Sequence, residues 1–198
     1  MYSAWQAYSR RKRMPAIVRE WMALDSSMTQ RLRERCSSPL SVHLLWTGAG
    51  RLKKDEAGLL RAARHHAYVR EVLLCAGEQT VLAARTVCVS RNLRTWIAKL
   101  GEQPLGERLF SSEKPRCAVR EFTRLTPRYQ IHALVRLMPG LRLRPCWARR
   151  RLYLLGSGGL LVTEIFLPAL FSYCSTSNRL HVTNRGLKAE RDQALRNI

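Results

Sequence analysis

Apolar and polar positions change period along the chain. Between residues 15 and 36 the spacing is helical. Pro15 stands at the first position of a helix, and Ile17, Trp21 and Leu24 fall on one face. Ser27, Met28, Thr29 and Gln30 match the capping-box pattern S-x-x-Q and open a second helix, with Met28, Leu32 and Cys36 as its apolar side. Two packed helices account for most of this region. The amides around Met28 add one property: at a helix start they lack intrahelical acceptors and offer a seat for an anion.

Beyond Pro39 the pattern turns toward alternation. A strand is predicted at 41–46, a polar loop at 48–57 and a short helix at 59–66. Two β-rich runs, 67–76 and 80–89, flank Gly77-Glu78-Gln79 and read as a hairpin. Residues 92–100 have helical spacing ended by Gly101, and Pro104-Leu105-Gly106 opens a short turn or helix. A strand at 121–125, a helix at 126–140 and a final strand pair, 147–155 and 160–168, complete the reading. Strands joined by short glycine turns form antiparallel sheets. The expected class is α+β: a single antiparallel sheet of about six strands with helices packed against it, around an enclosed ligand pocket. No internal repeat or low-complexity linker interrupts it. The expected layout is a basic leader at 1–14, one domain at 15–170 and a C-terminal tail at 171–198 without a recognisable pattern.

Charge changes the picture. The 198 residues carry 35 Lys and Arg against 14 Asp and Glu, a formal net charge of +21. Such a field attracts phosphate and makes nucleic acid a candidate partner. The basic residues are dispersed, however, with dense runs only at Arg10–Arg13 and Arg149–Arg151. A solvated arginine-rich surface, or a small anionic ligand, accounts for them better than nucleic acid does. The six cysteines form no C-x-x-C pair, and no His lies at metal-ligand spacing from them. Isolated thiols without a secretion signal fit a reducing cytoplasm. No run reaches the ~18 apolar residues of a membrane helix. The expectation is a cytoplasmic protein with no membrane span and no metal.

Candidate chemistry sits in the apolar strands. Within LLVTEIFLP, Glu164 shares a face with Leu160, Val162 and Phe166. A buried carboxylate is costly unless paired, so Glu164 is either a functional group or half of a structural Glu–Arg pair. Arg70 lies on the face of Tyr68, Val72 and Leu74, and Arg85 is a second arginine in an apolar run. A buried guanidinium requires a planar anion, from the protein or from a ligand. An arginine at one end of a pocket and a carboxyl at the other suit a small, flat acid bearing a hydroxyl.

Five segments in order, WMALDSSMTQRL, REVLLCAG, LAARTV, LGEQPLGERLFSS and RRRLYLLGSGGLLVTEIFLPA, resemble the bacterial chorismate pyruvate-lyase family. That resemblance implies a carbon–oxygen lyase that needs no cofactor. It would eliminate pyruvate from chorismate to give 4-hydroxybenzoate, the first committed step of ubiquinone biosynthesis, and act as a monomer. It also implies roles. Arg70 pairs with the ring carboxylate, the backbone amides of Met28 and Leu105 help to hold it, and Glu164 sits near the ring hydroxyl. Arg70 and Glu164 would be the catalytic pair. The chain departs from the family pattern in its basic leader, in a longer stretch from about Thr126 to Cys146, and after Ala169. Two alternatives come from other classes: a non-catalytic small-molecule-sensing domain of the same fold, and a basic nucleic-acid-binding protein. The sensing domain would normally carry a helix-turn-helix, for which residues 1–40 are short.

Overall fold

The structure, a computed structural model, describes residues 5–111, 115–125, 145–156 and 158–172. Seven strands form one sheet: β1 (Gln6–Ala7), β2 (Leu40–Arg51), β3 (His66–Ala76), β4 (Gln79–Cys88), β5 (Arg116–Leu125), β6 (Cys146–Leu155) and β7 (Gly158–Phe166). Their order is β1-β5-β6-β7-β4-β3-β2, and every pairing is antiparallel. The expected α+β sheet is therefore present, with six long strands and the two-residue β1 beside β5. The segment read as a basic leader supplies β1 and a 3-10 turn at Tyr8–Arg13.

Five helices accompany the sheet: α1 (Ala16–Ala23), α2 (Met28–Arg35), α3 (Lys54–Leu59), α4 (Arg91–Ala98) and α5 (Leu105–Leu109). One sheet face is covered by α1 and α2 at one end and by α4 and α5 at the other. Val18, Trp21, Met22, Met28 and Leu32 pack there with Val72, Leu74, Leu82 and Phe166. Leu93, Ile97, Leu100 and Leu109 pack with Cys88, Tyr153, Leu160 and Val162. The opposite face is covered by α3, around Leu52, Ala57, Val69, Val87, Leu152 and Leu161.

Several local expectations change. The buried stripe of α1 is Val18, Trp21 and Met22, while Ile17 is exposed, because the stripe beginning at Met14 is the one that meets the sheet. The polar segment 48–57 is not a loop. Its first residues extend β2 to Arg51 as an edge strand, where outward side chains remain in water. Asp55 and Glu56 then favour the positive first turn of α3. No helix forms over 59–66, because Arg61 takes a left-handed φ of 48° and ends the helical path. β5 begins at Arg116 and not at 121. The helix expected at 126–140 lies outside the described residues. The hairpin at Gly77-Glu78 and the helix before Gly101 stand as predicted.

Register decides which charges share a face. Arg70 sits opposite Thr86, which sits opposite Val162. In the next row of that face, Val72, Ala84, Glu164 and Arg149 are consecutive cross-strand neighbours. On the reverse face a polar row runs Glu71, Arg85, Thr163, Arg150 and Glu121. Side chains alternate between faces, so these two sets of charges are insulated from one another by the sheet.

Candidate active site

A cavity of about 50 Å³ lies between the sheet and the helices α2 and α5. Arg70, Thr86, Arg149, Tyr153 and Glu164 supply its polar side chains from the sheet. Met28, Leu105 and Phe110 line it from the helical side. Engineered apolar cavities of about 150 Å³ hold benzene, so a ring-sized ligand here must displace part of the cover.

Arg70 is the largest fully buried side chain, at 2 % exposure. Its Nε donates to the Gly101 carbonyl at 3.3 Å, and its Nη2 to the Gly101 and Gln103 carbonyls at 2.9 and 2.8 Å. Gly101 can present that carbonyl because it takes a φ of +50°, which favours glycine. No carboxylate among the described residues pairs with Arg70. Burial alone pulls its pKa below the ordinary arginine value, and no neighbouring charge offsets this. A guanidinium remains protonated even so. The cavity therefore carries a buried cation with backbone carbonyls, and no carboxylate, as its partners among the described residues.

Glu164 is 8 % exposed. Its Oε2 accepts from Arg149 Nε at 2.5 Å, and no protein donor among the described residues meets its Oε1. Glu164 thus has an arginine partner and also lines the cavity. Two strand spacings across and two residues along, roughly 12 Å in all, separate the backbone positions of Arg70 and Glu164.

The helical side is shaped by close approach. Ser27 caps α2 and accepts from Gln30 N at 3.3 Å, although the reciprocal arm of the expected capping box is not formed. Met28 follows at the first position of α2, where its amide has no intrahelical acceptor. Leu105 is the first residue of α5, after Pro104. Gly106 meets Ser27 directly: a Cβ there would lie 2.4 Å from Ser27 Oγ. The proline–leucine–glycine sequence lets α5 close against the cap of α2, which brings Met28 and Leu105 to one wall.

Arg85 does not join them. It lies on the reverse face, donates to Glu56 and Glu71, and is a structural charge. The acids' hydrogen bonds hold its pKa above the ordinary value, despite the larger opposing effect of burial. The dense run Arg149–Arg151 is also not a solvated patch, since all three residues are buried. Arg149 binds Glu164, Arg150 binds Asp55 and Glu121, and Arg151 donates to the Met22 carbonyl.

Sequence reasoning missed Tyr153, Arg149 and Thr86. Burial raises the Tyr153 pKa, with Arg151 the largest opposing influence, so its phenol is neutral at neutral pH. Its ring meets Phe110 edge-on at 6.0 Å. Strand alternation places it on the Arg149 face, a signal that was available. Among the described residues no cluster of three or more His, Cys, Asp or Glu is arranged for a metal.

These features define a class: an α+β domain in which helices α2 and α5 and one face of an antiparallel sheet line a cavity that holds a buried arginine. The chain belongs to the chorismate lyase family, whose model, described as "Chorismate lyase", matches residues 2–176. It is 40% identical over 159 residues to a "Probable chorismate pyruvate-lyase" of Dechloromonas aromatica (strain RCB), covering 78% of this chain and 88% of that one. It is 36% identical over 162 residues to a protein of the same description from Thiobacillus denitrificans (strain ATCC 25259 / T1), covering 80% and 86%. Among solved structures, the effector domain of PhnF from Mycobacterium smegmatis shares the fold, with a TM-score of 0.54 and 15% identity over 73% of this chain and 90% of that one.

Proposed function

We propose that this chain is a chorismate pyruvate-lyase that converts chorismate to 4-hydroxybenzoate and pyruvate. The observation that carries the reading is Arg70: a buried cation lining the cavity, without a carboxylate partner among the described residues, in a chain of this family. The ring carboxylate supplies the missing charge. Arg70 takes it through charge-assisted hydrogen bonds, and the amides of Met28 and Leu105 complete the seat. That anchorage turns the far end of the ring toward Glu164, which converts binding into orientation.

The elimination balances within the substrate. The ring carbon bearing the hydroxyl loses its hydrogen as a proton, and the freed electron pair completes the aromatic ring. The ether bond to the enolpyruvyl group breaks, and the departing enolate takes up a proton to become pyruvate. The step is redox-neutral and is driven by aromatisation, so its chemistry calls for no cofactor. In this reading Glu164 Oε1 accepts the ring proton, or holds the hydroxyl while the proton passes within the substrate; its place in the cavity lining supports the role.

We place the reaction at the entry to ubiquinone biosynthesis, in the cytoplasm, with the protein acting as a monomer. Free thiols at Cys36, Cys75, Cys88, Cys117 and Cys146 support a reducing compartment. None of the described helices is long and apolar enough to cross a membrane.

The test mixes purified protein with chorismate and quantifies 4-hydroxybenzoate and pyruvate. Equimolar formation of both is expected. Tight binding of 4-hydroxybenzoate without turnover would overturn the lyase reading in favour of a sensing domain.

A further inference from the structure

We infer that Arg149 is a positioning residue for Glu164, holding its carboxylate with one oxygen turned to the cavity and tying it to the end of α1. The inference rests on the lyase reading of this cavity. Three observations bear on Arg149.

The first is stoichiometry. On the reverse face each arginine takes two carboxylates: Arg85 takes Glu56 and Glu71, and Arg150 takes Asp55 and Glu121. Those groups hold strands and α3 together. Arg149 takes one carboxylate, through one oxygen, and Glu164 Oε1 meets no donor among the described residues.

The second is where the remaining donors go. Arg149 Nη1 donates to the Trp21 carbonyl at 2.9 Å and the Leu24 carbonyl at 3.2 Å. These carbonyls lie at the end of α1, just before the turn that presents Met28. One planar group thus fixes both the carboxylate and the chain leading to the amide seat. The Phe166 ring, 5.7 Å from the guanidinium carbon, bounds it on another side.

The third is placement. Arg149 and Glu164 are direct cross-strand partners on β6 and β7, and both line the cavity. The contact is rigid because both side chains stand on paired strands. Lysine in this position keeps the charge but has no planar fork, so it cannot bind the carboxylate and both carbonyls in one geometry.

The test uses R149K and R149Q in the full chain, with folding checked by circular dichroism. Three readouts are needed: chorismate turnover, the Kd for 4-hydroxybenzoate, and the Kd for benzoate. In R149Q, kcat should fall by about a hundredfold or more, the scale of a 1 Å misplacement. In R149K it should fall about tenfold. The Kd for benzoate, set by Arg70 and the amides, should stay within about threefold in both variants. The preference for 4-hydroxybenzoate over benzoate should collapse, because the hydroxyl acceptor is no longer held. If R149Q does not fold, R149K carries the test alone. Parental kcat and parental ligand preference in folded R149K would overturn the inference. So would an equal loss of affinity for both ligands, which marks a structural role. The ligand-preference arm is independent of turnover, so it still decides the role of Arg149 if the parent protein proves not to be a lyase.

Discussion

Arg70 and Glu164 face one cavity from strands that flank β4, and the two differ in how their charge is met. Glu164 has Arg149 at 2.5 Å; Arg70 has two backbone carbonyls and no acid among the described residues. Among Arg70, Arg149 and Glu164 the balance is one positive charge in excess of neutral. In the proposed reading that asymmetry gives the cavity a direction, with the ligand's anion at the Arg70 end and its hydroxyl at the Glu164 end.

Replacing Arg70 tests the anion seat. R70A should weaken 4-hydroxybenzoate binding by roughly a hundredfold, in line with loss of charge-assisted hydrogen bonds worth about 1.5–3 kcal/mol. It also frees the Gly101 and Gln103 carbonyls, so a stability loss of about 1–3 kcal/mol should accompany it. Calorimetric titration and denaturant unfolding read the two effects separately. Unchanged affinity in folded R70A would remove Arg70 from the site.

E164Q separates the two proton routes. If Glu164 is the base, kcat should fall by about 10²–10⁴-fold, the usual contribution of a positioned acid–base group. If the proton passes within the substrate, the amide still holds the hydroxyl and kcat should stay within about tenfold. Single-turnover kinetics, which exclude product release, make the comparison clean.

Gly106 tests how the wall is assembled. A methyl group there would meet Ser27 Oγ at 2.4 Å and Ser27 Cβ at 3.2 Å. G106A should part α5 from the cap of α2 and weaken ligand binding about tenfold or more. The added methyl is itself helix-favouring. Stability should therefore fall by less than the roughly 1–3 kcal/mol of overpacking in a closed core. Parental affinity would mean that the Ser27 side chain simply rotates aside.

Cys88 offers a pH prediction away from the site. Burial pushes its thiol up to about 11, with Arg94 opposing the shift. The thiolate is the reactive form, so thiol reagents near pH 8 should leave Cys88 unmodified in folded protein, while the partly exposed Cys36 and Cys117 react. The raised value means that the folded state holds the proton more tightly than the unfolded chain. The associated stability is present below pH 9 and is lost as pH rises toward 11. Replacing Cys88 by Ala should flatten that part of the stability profile. Rapid Cys88 labelling at pH 8 would contradict the packing of α4.

Arg70 and Glu164 were legible from the sequence because each is a lone charge on an apolar strand face and stands out against the neighbours on that face. The Met28 seat followed from a capping pattern that needs only local residues. Leu105 carries no chemical signal of its own, and only the family resemblance pointed to it. Arg85 looked equivalent to Arg70 and is not, for a reason that no local pattern contains. The β3–β4 ladder shifts register between Leu74 and Cys75. Continued without that bulge from Cys75 opposite Thr80, it would set Arg85 opposite Arg70 on the same face. The extra residue in β4 turns Arg85 to the reverse face instead. Arg149 was hidden differently. Three successive arginines suggest solvent, and only the helices packed from distant sequence bury them.

A crystal structure of the protein with 4-hydroxybenzoate tests the central claim most directly. The account predicts the carboxylate within about 3.2 Å of the Arg70 guanidinium, and the hydroxyl within the same distance of Glu164 Oε1. A ligand bound in the reverse sense, or bound outside this cavity, would contradict it.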